Sequence, residues 1–290
     1  MSNLDTFIRQ IAKAELHMHL EGSIHPQLMI DLAARNDVKL RWDTAEELRA
    51  VYQFTDLQSF LDLYFEGCRV LVHERDFYDV TRAYLRRAHE DGVIKAELFI
   101  GPQSFTERGV ELSTLMNGVL SAVEDGAREH GISVGLLISA HRHRSEEDGL
   151  TLLKQVLPWS DYVIGIGMGR AEVANPPSKF VNFFRSCRDA GFCTTIHAGE
   201  EGSASYVREA VELLNVDRID HGNACLHDPG LVKLLVERRI PLTVCPLSNL
   251  RLKLVPSLAQ HPLKRLMDAG WIVTTATLPR TWWSVSEHWV

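Results

Sequence analysis

The chain has 290 residues, of which 45% are hydrophobic and 24% charged, an ordinary globular composition that argues against a disordered or fibrous protein. A formal net charge of −7, with lysines and arginines scattered along the sequence, argues against a nucleic-acid partner. The five cysteines form no C-x-x-C pair, and they therefore predict reduced thiols rather than a disulfide framework.

The N-terminal segment, Met1–Gln10, carries Asp5 and Arg9 among its apolar residues and lacks the apolar core of a secretion signal. Nowhere in the sequence does an apolar run reach the roughly 18 residues that a membrane helix needs. We therefore expect a cytoplasmic protein without a membrane partner.

Eight short apolar runs alternate with helical stretches along the chain. Near-continuous apolar strands between amphipathic helices are typical of a parallel sheet that is covered on its outside. The pattern predicts the α/β class, with a (β/α)8 TIM barrel as a single domain over residues 1–290. The predicted strands are Ala14–Leu20, Val93–Ile100, Val134–Ser139, Tyr162–Ile166, Phe192–His197, Arg218–His221, Ile240–Cys245 and Trp271–Thr275.

Helical periodicity predicts the segments that connect these strands. Arg75–Glu90 and Leu112–His130 repeat apolar residues at helical spacing, and Lys179–Ala190 ends at a glycine. Asp228, followed by a proline, is expected to cap a further helix. The stretch from Ser23 to Cys68 is longer than one crossover, so we predict a helical insertion after the first strand.

The first predicted strand contains two histidines. Strand alternation places His17 and His19 on one face of it. At the C-terminal end of a barrel strand, such a pair can clamp a metal ion. An isolated H-x-H pair also occurs in strands that bind no metal, so this motif is weak by itself.

A third histidine ends the fifth predicted strand, and a glutamate follows it. His197 ends that strand, and Glu200 lies three residues further on. Three imidazoles can hold zinc and leave a position for water, while a nearby carboxyl group can pass a proton from water to a ring nitrogen. The alternative is that Glu200 is an exposed residue that opens a helix, where the helix dipole favours it.

A fourth histidine, His221, ends the sixth predicted strand within Asp220-His221-Gly222. It can orient a hydroxide and stabilise charge as water attacks a carbon. A structural imidazole bonded to a neighbouring carbonyl is the alternative. The occurrence of all these groups at equivalent strand ends favours the functional interpretation for the whole set.

These motifs, in chain order, resemble those of the adenosine/adenine deaminase family, from about residue 10 to residue 273. The resemblance implies a zinc-dependent hydrolytic deaminase of an adenine-type purine, with one zinc ion per chain. It implies zinc ligands at His17, His19 and His197, an acid that protonates purine N1 at Glu200, a residue that orients the attacking hydroxide at His221, and part of the purine-binding loop at Gly22. The motifs are His17-Met18-His19-Leu20-Glu21-Gly22-Ser23, His197-Ala198-Gly199-Glu200, Asp220-His221-Gly222 and Val244-Cys245-Pro246-Leu247-Ser248-Asn249.

The segment from Glu172 to Phe180 resembles the branch of the family that takes the free base adenine. A Pro-Pro turn followed by a capped helix explains part of the same segment without any ligand. Adenosine and an N6-substituted adenine therefore stay open as substrates, because the loops at a barrel mouth change specificity.

The sequence departs from the family after the eighth predicted strand. There the family has an Asp-Asp pair whose first carboxylate completes the zinc site, whereas this chain continues Thr274-Thr275-Ala276 into an atypical tail, residues 274–290, in place of the family's final helices. We expect weaker zinc binding and impaired activity, and we hypothesise a shift of reading frame near Val273. Gly101 and Gly169 also stand where the family commonly has an aspartate, which affects the expected substrate contacts.

Two other functions stay open at this point. One is another metal-dependent amidohydrolase, acting on a cyclic amide or a phosphoester. It usually needs a bridging group for a second metal, and Lys95 lies at the start of its strand, away from the expected site. The other is a catalytically dead relative that binds a purine or a partner subunit. The sequence does not indicate an oligomeric state.

Overall fold

A computed structural model describes residues 3–270 and 273–275. Eight strands form one sheet in the order β1 to β8, and each pair with a described register is parallel. This order, with helices between the strands, is that of a (β/α)8 barrel and confirms the predicted fold class. The strands are β1 (Lys13–His19), β2 (Val93–Ile100), β3 (Ser133–His141), β4 (Val163–Gly169), β5 (Cys193–Ala198), β6 (Arg218–His221), β7 (Leu242–Val244) and β8 (Val273–Thr275).

Helices precede β1 and fill the connections between the strands. Helices α2, α3 and α4 lie between β1 and β2 and confirm the predicted insertion, whereas α1 was not predicted. Within the described residues, no helix is both long enough and apolar enough to cross a membrane. The helices are α1 (Asn3–Gln10), α2 (Pro26–Arg35), α3 (Ala45–Ala50), α4 (Leu57–Cys68), α5 (Glu74–Glu90), α6 (Gln103–Thr106), α7 (Leu112–His130), α8 (Glu146–Val156), α9 (Val181–Asp189), α10 (Ala204–Glu212), α11 (Pro229–Glu237), α12 (Pro246–Arg251) and α13 (Leu263–Asp268).

The chain divides into two compact units, and the described part of the first comprises residues 3–52 and 64–135. In this unit α5 packs against α7 at a point where only a glycine fits. A Cβ atom on Gly118 would lie 2.2 Å from the backbone oxygen of Glu74. The close approach buries Phe77 and Leu85 of α5, which are at most 1% exposed.

The described part of the second unit comprises residues 53–63, 136–270 and 273–275. It contains β4 to β8 and the helices from α8 onward. Phe183 and Phe184 of α9 are fully buried, and the Phe183 ring contacts α8 at Gly149, where a Cβ would lie 3.0 Å from it. Helix α9 thus packs its apolar face inward, as the periodicity predicts.

Helix α11 begins with the predicted cap. The Asp228 side chain accepts a hydrogen bond from the backbone N–H of Leu231 at 3.0 Å, and Pro229 occupies the first turn. Asp228 also pairs with Arg208 at 2.7 Å. The cap supplies an acceptor for a backbone donor that lacks a helical partner.

Several predicted boundaries are wrong. Strands β3 and β4 run past their predicted ends, to His141 and Gly169, because the residues after the predicted apolar runs still pair in the parallel register. Strand β7 is shorter than the predicted Ile240–Cys245, because Pro241 has no N–H to donate to the sheet and Pro246 opens α12 directly after Cys245. The predicted helix Lys179–Ala190 begins as a 3-10 turn over Pro177–Phe180 and becomes α-helical only at Val181.

Candidate active site

The two histidines of β1 lie near its C-terminal end. The rings of His17 and His19 are 5.4 Å apart between centroids, and the ring of His19 stacks on Phe99 of β2 at 4.9 Å. The parallel register pairs His19 with Phe99, which accounts for that stacking. The His17 side chain is buried.

Each unit brings two of its histidines close together. In the second unit the rings of His197 and His221 are 5.1 Å apart between centroids, and both residues are buried. In the first unit His17 lies beside His19, as described above. Imidazole nitrogens are donors that suit zinc and other divalent transition metals, so these residues fit such an ion.

A buried carboxylate stands behind His197. The register of β5 and β6 pairs His197 with Asp220, and Nδ1 of His197 lies 3.4 Å from Oδ2 of Asp220. Asp220 is fully buried and accepts hydrogen bonds from the hydroxyls of Thr195 at 2.8 Å and Thr243 at 2.7 Å. A carboxylate in this position fixes the orientation of the imidazole, as partners of metal-binding histidines do.

Glu200 and His221 face each other. Oε2 of Glu200 lies 3.3 Å from Nε2 of His221, and each side chain is 5% exposed. Burial, together with the negative charges of Glu172 and Glu201, raises the pKa of Glu200 well above its ordinary value. The glutamate side chain is therefore buried rather than exposed on a helix, and its surroundings favour the protonated form of the carboxyl group.

His221 is held in a backbone conformation that side chains rarely adopt. Its φ angle is +68°, and that of the next residue, Gly222, is +76°. Asn249 of α12 places its Nδ2 atom 3.4 Å from Nδ1 of His221, and its Oδ1 atom lies 3.0 Å from Nε2 of His261. Left-handed conformations of this kind persist where surrounding contacts impose them, which is common at functional sites.

Gly22 lies within a buried 3-10 turn, Leu20–Ser23, directly after β1. In the same turn Glu21 accepts a hydrogen bond from the backbone N–H of Gly101 at 2.6 Å. Gly169 packs closely against a predicted ligand, since a Cβ atom at this position would lie only 3.3 Å from the ring of His197. The positions where the sequence departs from the family thus lie at strand ends next to predicted site residues.

Two charged side chains that sequence reasoning did not assign support the turn after β5. Glu172 accepts hydrogen bonds from backbone N–H groups of residues 199–202, and Arg142 donates one to the backbone oxygen of His197. Glu172 follows β4 and Arg142 directly follows β3. The only sequence signal for them is that position, because residues after barrel strands tend to serve the active site.

The atypical tail falls mostly outside the described residues, so the predicted frameshift stays a hypothesis. Thr274 and Thr275 belong to β8 and pair with Thr243 and Val244 of β7. Residues 276–290, where the family's aspartate pair would be expected, lie outside the part of the chain that the structure describes.

The comparisons with known proteins agree on one family. The sequence model described as adenosine deaminase matches residues 12–281. A protein named adenine deaminase from Rhodopseudomonas palustris (strain BisB18) is 69% identical over 277 residues, which are 96% of this chain and 81% of that protein.

Solved structures agree with this family. The crystal structure of an adenine deaminase from Arthrobacter aurescens has a TM-score of 0.88 and 48% identity, covering 90% of this chain and 80% of that one. An amidohydrolase from Burkholderia ambifaria, solved with bound Zn, has a TM-score of 0.86 and 28% identity, covering 95% and 77%.

Proposed function

This chain belongs to the adenosine deaminase family, and from that premise we propose that it hydrolyses adenine to hypoxanthine and ammonia. The reaction breaks the C–N bond at C6 of a cyclic amidine, so the enzyme is a hydrolase. The observation that carries the proposal is the pairing of the buried Glu200 side chain with His221, whose ring lies beside that of His197. The relatives that take adenine are also among the most similar in sequence.

We further propose that the metal is zinc, one ion per chain, held by His17, His19 and His197. His17 and His19 lie on one strand with their rings 5.4 Å apart between centroids, and His197 is a buried histidine near the end of β5. Support for zinc comes from the imidazole donors and from the zinc-containing relative. When bound, zinc supplies Lewis-acid chemistry that lowers the pKa of water towards neutrality.

The protein's own side chains account for the proton transfers. Glu200 in its protonated form donates to purine N1, which makes C6 more electrophilic. His221 orients the attacking hydroxide with its Nε2 atom, and Asn249 holds the opposite ring nitrogen. The oxygen of water bonds to C6, the C6–N bond breaks, and the water protons leave on ammonia and the purine.

Three further proposals concern the domain organisation, the role of Gly22 and the cellular location. We propose that residues 1–290 act as one catalytic domain, since the family match spans residues 12–281. We propose that Gly22 lies in the purine-binding loop, because it directly follows the strand of His17. A cytoplasmic location is proposed from the cysteines, because none of the five, all within described residues, forms a disulfide bond.

The test uses zinc-loaded full-length protein incubated separately with adenine, adenosine and N6-methyladenine. We expect ammonia release and the ultraviolet shift to hypoxanthine with adenine, and one zinc ion per chain in a metal assay. If only adenosine is deaminated, the substrate is adenosine rather than adenine. Purine binding without turnover of any of the three would leave a catalytically dead relative, and two metal ions per chain would favour another amidohydrolase.

A further inference from the structure

The turn that follows β5 carries Glu200 and is held by a carboxylate from the preceding loop. Glu172 is 1% exposed, and its two carboxylate oxygens accept four backbone N–H groups, one from each of residues 199 to 202. The distances run from 2.7 Å at Gly199 to 3.0 Å at Glu200. Hydrogen bonds to a charged acceptor are about twice as strong as neutral ones, so this carboxylate fixes the backbone of the whole turn.

The carbonyl side of the same turn is held from the loop after β3. Arg142 is fully buried, and its Nη1 atom donates to the backbone oxygen of His197 at 2.6 Å. Its Nε and Nη2 atoms both donate to the backbone oxygen of Asn175, at 3.1 and 2.7 Å. The guanidinium also lies 5.9 Å from the centroid of the Tyr206 ring. One buried cation thus connects His197 to the loop that carries Glu172.

The loop that supplies Glu172 adopts an unusual backbone around it. Arg170 and Ala174 have φ angles of +85° and +65°, in the left-handed region that favours glycine. Such conformations are strained and persist only where other contacts impose them. The two strained residues lie two positions before and after Glu172, so the contacts of this loop, including those of Glu172, hold it in place.

We propose that Glu172 is a positioning residue for the deamination step, acting through the backbone of residues 199–202, with Arg142 holding the other side of the turn at His197. Neither side chain reaches the reacting atoms in this assignment. Glu172 sets the place of the Glu200 carboxyl group relative to His221, and hence to purine N1. The expected effect on kcat rests on the proposed function, whereas the anchoring of the backbone of residues 199–202 rests on the structure alone.

The first test is Glu172→Gln in the full-length, zinc-loaded protein. An amide has a single acceptor oxygen, and its NH2 group points hydrogens at backbone donors, so the turn loses part of its anchor. We expect kcat for adenine to fall by about 100-fold, the effect of roughly 1 Å of misplacement, with KM and zinc content unchanged. Amide hydrogen exchange of residues 199–202 should become faster. The matched control is Glu209→Gln, because Glu209 accepts a single backbone N–H, from Ser178, outside the turn.

A second variant disturbs the same contact without altering charge. A Cβ on Gly202 would lie 2.5 Å from Oε1 of Glu172 and 2.7 Å from the Tyr206 ring, so Gly202→Ala displaces the carboxylate. We expect the same fall in kcat at constant KM and the same faster exchange. Gly230→Ala is its control, since a Cβ there meets nothing closer than 3.4 Å. This variant also decides the question if Glu172→Gln does not fold.

The outcomes separate this inference from the proposed function. If the parent protein deaminates adenine and folded, zinc-loaded variants keep their kcat, Glu172 is not a positioning residue. Unchanged exchange at residues 199–202 would also overturn the assignment. If the parent protein is inactive on every purine tested, the proposed function fails, while the exchange measurement still tests whether Glu172 anchors the turn.

Discussion

At the scale of single residues, Glu200 combines burial, a raised pKa and contact with His221. Replacing Glu200 by Gln removes the proton but keeps the shape of the side chain. We expect turnover to fall at least 100-fold, the lower end of what a general acid contributes, while zinc stays bound. Ammonia release and metal content measure the two effects. Glu237→Gln, a change at an exposed glutamate of α11, should stay active, and retained activity in Glu200→Gln would remove Glu200 from its role.

His197 has a different role, because Asp220 stands behind its ring and His221 lies beside it. We expect His197→Ala to lose zinc, since the remaining histidines give an incomplete set of ligands. The measurement is the zinc content of the purified protein after dialysis. His227→Ala, a change at an exposed histidine of the same unit, should keep its zinc. Full zinc content in His197→Ala would rule out His197 as a ligand.

The sequence predicted these titratable residues because each lies at or just after the end of a strand and carries a side chain with known chemistry. It did not predict the role of Glu172 or Arg142, which act by hydrogen bonds to backbone groups far along the chain. The left-handed φ of His221 was also beyond prediction, because non-glycine residues rarely adopt it. Contacts between successive loops depend on three-dimensional placement that spacing alone does not encode.

At the scale of elements, the cap of α11 offers a clean measurement of local stability. Asp228→Ala removes the acceptor for the N–H of Leu231 and the ion pair with Arg208. We expect a loss of about 0.5–2 kcal/mol in the free energy of unfolding, the usual cost of losing an N-cap. Thermal or denaturant unfolding measures it. Asp228→Asn keeps a capping oxygen and should lose less, and equal losses would mean that the ion pair matters more than the cap.

The ends of elements were harder to predict than their existence. The bounds of β2, β6 and α7 follow from the sequence pattern, since apolar runs and glycine mark them clearly. At β7, prolines on both sides cut the strand short, because an apolar run does not reveal which backbone donors the sheet uses. Helix α1 escaped prediction because it is short and precedes the first strand.

At the scale of the whole molecule, the order of eight strands was predictable because buried parallel strands read as apolar runs at regular intervals. Metal binding offers a test at this scale. We expect a chelator to lower the melting temperature and added zinc to restore it, since a ligand bound only by the folded state stabilises it. At a free zinc concentration 100 times its Kd, the gain is about 2.7 kcal/mol.

The matched control for this experiment is His197→Ala, whose melting temperature should not respond to zinc. A response equal to that of the parent protein would show that zinc stabilises the fold through other residues. Magnesium provides a second control, because hard cations prefer oxygen ligands to imidazole.

The four hydrogen bonds to Glu172 join the loop after β4 to the loop after β5. An exchange of only one of these loops would remove one partner of this contact. In this chain residues 170–175 and 199–202 have to be transplanted as a single cassette, because a foreign loop at either place breaks the shared contact. A library that varies them separately will therefore consist mostly of inactive clones, whatever its chemical diversity.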